Sequence, residues 1–157
     1  MAMSKAFTKE SDADDVIDLP EREISPLPNL VTSRGLGLID AEIARASDAN
    51  AAALASGDKE AAARAGRDLR YWTARRNSAQ VQPDPVGSAT VQFGSAVNIL
   101  RSDGRRQSFR IVGEDEADPT QGRLSWTSPL ARAMMGKGVN EDIDAGATEA
   151  TIVAISA

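Results

Sequence analysis

The sequence predicts an α+β protein, in which an antiparallel α-helical hairpin, a short coiled coil, precedes an antiparallel sheet domain with one short helix. Three observations carry that expectation. Between residues 36 and 79 apolar side chains recur at spacings of three and four, the period of a helix face. Beyond Pro83 and Pro85 the spacing drops to two, the period of a strand. Between the two helical stripes stands Ser56-Gly57-Asp58, where glycine suits a left-handed helix end and aspartate suits the start of the next helix.

Residues 1–30 hold seven acids (Glu10, Asp12, Asp14, Asp15, Asp18, Glu21, Glu23) against Lys5, Lys9 and Arg22, together with Pro20, Pro26 and Pro28. Such a composition buries too little apolar surface to offset chain ordering, so a disordered or extended acidic tail is expected. Residues 31–82 form the hairpin arm. Thr32 or Ser33 caps its first helix, whose stripe is Leu36, Ile39, Ile43 and Ala46. Asp58 caps the second, with Ala62, Ala65, Leu69, Trp72 and Ala79 as its stripe.

Residues 86–157 form the sheet domain. Val91, Phe93, Ser95 and Val97 alternate along a first strand, and Ser102-Asp103-Gly104 turns the chain into a second through Phe109 and Ile111. Glu114-Asp115-Glu116 reads as a solvated acidic loop. A loop from Asp118-Pro119 to Gly122 leads to a strand at Leu124 to Trp126. Pro129 opens a short helix that ends at Gly136, and Thr151 to Ile155 is the last strand.

Composition also removes whole classes of function. The chain has no cysteine and no histidine, which excludes disulfides, thiolate chemistry, a Ser-His-Asp triad and a zinc site of the usual soft ligands. A net charge of −5 argues against general duplex-DNA binding, although residues 59–82 carry six bases against two acids. With no run of about 18 apolar residues and no charged-then-apolar start, a cytoplasmic protein with no membrane partner is expected.

The stretch FRIVGEDEADPTQGRLSWTSPLARAMMGK (109–137), with VQFGSAVNIL (91–100) and ATIVAI (150–155), resembles the carboxy-terminal domain of the GreA/GreB transcript cleavage factors. GRDLRYWTARRNSAQV (66–81) resembles the end of their coiled-coil arm. The resemblance implies an FKBP-like domain and RNA polymerase as partner. It implies a protein that is not itself an enzyme and has no cofactor of its own, although in that family two tip carboxylates help hold Mg2+ at the polymerase active site.

Carried onto this chain, the tip acids are Asp58 and Glu60. The family pairs an Asp with a Glu three residues later, whereas here the spacing is two, and Asp58 is also a good N-cap with Glu60 placed to complement the helix dipole. Leu36 to Gly57 spans about 33 Å as a helix, several turns shorter than the family's arms. Arg64, Arg67, Tyr71 and Arg75 share one helix face by spacing. The resemblance makes that face a contact for nascent RNA or the channel wall, and the alternative is a solvated face balancing the acidic tail. Docking at the rim of the polymerase secondary channel falls to Trp126, Thr127, Ser128, Pro129 and Arg132, with Trp126 either an exposed anchor or core. The expected function is that of a monomeric Gre-type elongation factor whose short arm enters the secondary channel. It either stimulates cleavage of backtracked RNA or, like short-armed Rnk-like relatives, competes for the channel without cleavage. A prolyl isomerase rests on fold alone, with only Phe93, Phe109 and Trp126 as aromatics in the domain.

Overall fold

Thr32 starts the first helix through its side chain: the hydroxyl oxygen accepts the Gly35 N–H at 2.9 Å, satisfying one of the donors a helix start leaves unpaired. In the computed structural model, which describes residues 18–87 and 89–157, that helix is α1 (Ser33–Ser56). It stops at Gly57, whose φ of 72° is open to glycine at little cost. The Gly57 N–H reaches the Leu54 carbonyl (3.3 Å) and the Asp58 N–H the Ala53 carbonyl (3.0 Å), the paired bonds of a Schellman end. Asp58 then caps α2 (Lys59–Ser78), its Oδ1 accepting the Ala61 N–H at 3.0 Å. Ala46 and Ala53 of α1 and Ala65 of α2 are buried, so small side chains line the seam, and Arg76 Nε donates to Asp40 Oδ1 at 2.8 Å.

The described residues divide into two compact units, one running up to Ile24 and joined by Glu42–Thr73, the other Ser25–Ala41 with Ala74–Ala157. The second holds a five-stranded sheet of order β5-β4-β3-β7-β6. Its centre, β3 (Ala96–Arg101), pairs antiparallel with β4 (Arg106–Val112) and with β7 (Glu149–Ser156). β6 (Asp142–Asp144) adds antiparallel to β7, a strand the periodicity of so short a segment does not reveal. β5 (Arg123–Ser125) pairs parallel to β4, so the sheet is mixed rather than wholly antiparallel. The ten residues between these strands, including a 3-10 turn at Pro119–Gln121, carry the chain back only as far as Arg110, so β5 runs beside the last three residues of β4.

Alternation builds the core. Val97 and Ile99 of β3, Ile111 of β4 and Ile152 of β7 are at most 1% exposed, and Ala131 and Met134 of α3 (Pro129–Met134) join the same cluster. The expected first strand from Val91 is shorter than its alternation suggested. Gly94 takes φ 86°, the Gln92 N–H donates to Ser95 Oγ (2.9 Å), and regular pairing begins only at Ala96. Val91 instead exchanges backbone bonds with Gly136 and Lys137.

Residues 1–17 of the expected acidic tail lie outside the described residues. From residue 18 to 29 the chain has no helix or strand, yet it is not without partners. β1 (Leu30–Val31) pairs parallel with β2 (Gln80–Val81), and Asn29 is 4% exposed, its Nδ2 donating to the Arg75 carbonyl at 2.8 Å. Gly113 lets this strand lie close, since a Cβ there would overlap the Leu30 carbonyl oxygen. Among the described residues no helix is long and apolar enough to cross a membrane.

Candidate functional site

Asp58 and Glu60 stand at the turn between the helices, and local chemistry explains both. Asp58 uses Oδ1 on its cap, while Glu60 pairs with Arg64 one helical turn on, Oε1 to Nη2 at 2.9 Å, with both side chains exposed. No group of three or more His, Cys, Asp or Glu among the described residues converges on a metal-sized site.

Of the four residues expected on one contact face of α2, three remain at or near the surface. Arg64 is exposed, Arg67 Nη2 lies 3.1 Å from Asp68 Oδ1, and the Tyr71 ring carries the Arg22 guanidinium 3.8 Å from its centroid. Arg22 also lies over Trp72, at 5.3 Å, and reaches Asp68 Oδ1 at 3.4 Å. Beside them Arg70 makes a two-point contact with Glu21, Nε to Oε2 at 3.0 Å and Nη2 to Oε1 at 2.5 Å. That hydrogen bond holds the Glu21 carboxyl below its ordinary range and raises Arg70 in return. The sequence signal for Arg70 is its spacing of three from Arg67 along a basic helix.

The fourth, Arg75, corrects the sequence reading. It is 1% exposed and cannot meet a partner as it stands. Its Nε donates to Asp115 Oδ2 at 2.6 Å and its Nη2 to Asn29 Oδ1 at 2.8 Å, with Glu114 Oε2 at 3.6 Å. The acidic turn is corrected with it. Glu116 is 6% exposed rather than solvated: Oε2 pairs with Arg34 at 2.8 Å and Oε1 accepts the Thr32 hydroxyl at 2.5 Å. Gly35 leaves room for that carboxylate, because a Cβ there would come within 2.9 Å of Oε1. Buried carboxylates need such partners. The turn is therefore a clamp that fixes the first turn of α1 and the last of α2 to β4's outgoing loop.

The expected docking segment is held rigidly at its start. Ser128 Oγ accepts the Ala131 N–H at 3.3 Å and Pro129 occupies the first helical position, where its missing N–H costs nothing. Pro129 and Arg132 are exposed, and Thr127 is half-buried, with its hydroxyl 2.6 Å from that of Ser125. Trp126 is half-buried and packs on the core cluster, its buried Nε1 having no hydrogen-bond partner among the described residues. It serves the core more than the surface.

Residues 86–157 match the family profile described as "Transcription elongation factor, GreA/GreB, C-term". This segment belongs to the GreA/GreB family. The chain is 45% identical over 71 residues to transcription elongation factor GreB of Neisseria meningitidis serogroup A, covering 44% of each chain. It is 44% identical over 63 residues to transcription elongation factor GreA of Hyphomonas neptunium, covering 40% of each. These matches span less than half the length of either relative. Among solved structures, GreA factor homolog 1 of Thermus thermophilus aligns over 83% of this chain and 100% of its own, at 19% identity and a TM-score of 0.40. A GreA/GreB factor from Nitrosomonas europaea aligns over 82% and 99%, at 17% identity and a TM-score of 0.42, and neither likeness is close enough to bear on the arm.

Within the GreA/GreB domain, the clamp acids Asp115 and Glu116 are what the sequence reading missed. Their partners lie 40 to 84 residues away, and no local pattern announces them.

Proposed function

We propose that the chain is a transcription elongation factor that binds RNA polymerase through its GreA/GreB domain, with Pro129 and Arg132 presented at the rim of the secondary channel and the helical hairpin entering it. The observation that carries this reading is the match of residues 86–157 to the GreA/GreB domain, in which the Ser128-capped start of α3 displays an exposed proline and arginine. A rigid, capped helix start is a surface that needs little ordering on binding.

The tip favours occupancy of the channel without stimulation of cleavage. Asp58 is committed to capping α2 and Glu60 to Arg64, and α1 is 24 residues, about 36 Å, long. On this reading the protein supplies no catalytic residue and no cofactor, and magnesium remains the polymerase's own. A second reading, stimulation of RNA cleavage, has one observation in its favour: the Glu60 side chain is 70% exposed and would exchange Arg64 for a shared Mg2+ at small cost. Isomerase activity has none, because Phe93, Phe109 and Trp126 pack against the core.

Arg132→Glu tests the docking. The variant keeps the wild-type circular dichroism and loses co-migration with RNA polymerase core enzyme on native gels by at least about tenfold, the size of a lost interface charge contact made repulsive. Unchanged co-migration would remove α3 from the interface.

A further inference from the structure

We propose that residues 21–22 form a displaceable intramolecular strap that occupies the Arg67 to Tyr71 face of α2 in place of single-stranded nucleic acid. This deepens the reading above and rests on it, since it concerns the arm face expected to meet nascent RNA. The contacts have the chemistry of the ligand they replace. Glu21 sits on Arg70 through two oxygens, as a phosphodiester would, and guanidinium groups favour that two-point geometry. Arg22 stacks on the Tyr71 ring at 3.8 Å and lies 5.3 Å from Trp72, covering the aromatic surface on which a base would stack. Its Nη1 also takes Asp68 Oδ1, the oxygen that Arg67 uses.

The same contacts are built to open. Arg70 and Glu21 side chains are 61% and 60% exposed, and Arg22 and Asp68 about a third exposed, so solvent and salt screen both pairs. Upstream in the sequence, Glu10, Asp12, Asp14, Asp15 and Asp18 add like charge to the segment that would compete with a polyanion for the arginines. A nucleic-acid strand offers many phosphates where the strap offers one carboxylate on Arg70, so the strap raises the threshold for binding without abolishing it.

The test uses the full chain and a fluorescein-labelled oligouridylate, followed by fluorescence anisotropy at low and at physiological salt. Glu21→Gln/Arg22→Gln removes one charge of each sign, leaving the net charge at −5. It is expected to bind about tenfold tighter than the wild type, and the gain is expected to vanish when Arg67→Ala/Arg70→Ala is added. If the neutral strap variant binds as the wild type does while Arg67→Ala/Arg70→Ala abolishes binding, the strap is refuted and the face remains a nucleic-acid surface. If the gain survives loss of both arginines, it arises elsewhere and the strap is again refuted. If none of these proteins binds the oligonucleotide, the nucleic-acid reading of α2 falls, and the strap falls with it.

Discussion

Replacing Arg75 by alanine is the sharpest probe of how this molecule is held together. The guanidinium is 2% exposed and lies between Asp115, whose side chain is 10% exposed, and Glu114, 24% exposed, with Asn29 accepting from Nη2. Breaking a buried ion pair from one side leaves the other charge without compensation and costs about 3–5 kcal/mol. Glu114 keeps some access to water, which moves the expectation to the lower end, about 3 kcal/mol. For a chain of this size that loss lowers Tm by about 6–12 °C. Thermal and urea unfolding followed by far-ultraviolet circular dichroism measures it. The diagnostic arm is Arg75→Ala/Asp115→Asn: neutralising the carboxylate that the guanidinium paired should return about 1 kcal/mol or more. A loss below about 1 kcal/mol for Arg75→Ala, or a double variant weaker by the sum of the singles, would refute the claim that the arginine neutralises the turn.

Further outcomes follow from single contacts. Ile152→Ala empties a fully buried position on β7 and should cost about 2–5 kcal/mol in urea unfolding. Gly113→Ala drives a Cβ into the Leu30 carbonyl, so the β1–β2 pair should lose amide exchange protection at Gln80 and Gln82, whereas Gly37→Ala, in open space, should leave it intact. Asp58→Ala removes the cap and should cost about 1 kcal/mol, with Asp58→Asn largely retaining it, which separates capping from charge. Glu21 has a lowered pKa when paired, so its contribution is fully present above the ordinary value of 4.5 and is lost as pH falls through the lowered one. The Arg70 Nε resonance should therefore hold steady from neutral pH to about pH 5 and move only below the ordinary glutamate range. A transition centred at or above 4.5 would contradict the pairing.

What could be read from the sequence was what is decided locally. Thr32, Gly57, Asp58 and Ser128 each act on backbone within a few residues, so the helix ends were legible from residue type alone. Long-range partners decided the rest. Glu114-Asp115-Glu116 looks solvated when only its neighbours are considered, and becomes a clamp because Thr32, Arg34 and Arg75 arrive from distant helix ends. The same limit concealed that Arg75, on the face shared with Arg64, Arg67 and Tyr71, turns inward. The alternation from Val91 to Val97 imitated one strand because period two does not register a glycine at positive φ in its middle. The direction of β5 depends on how the loop before it returns, which residue pattern does not encode. Composition pointed to a tail at residues 1–30, and what it could not show was that Glu21 and Arg22 match the arginines and rings of α2.

The central claim is polymerase binding through the GreA/GreB domain, with a capped arm tip that does not stimulate cleavage. A backtracked RNA polymerase elongation complex incubated with the full chain tests it most directly, with co-migration and release of short 3′ RNA fragments followed together. The account expects co-migration with no acceleration of fragment release, and the same result with Asp58→Ala/Glu60→Ala. Absence of co-migration would contradict the assignment to polymerase, and fragment release that disappears in the double variant would contradict the commitment of the two acids to capping and pairing.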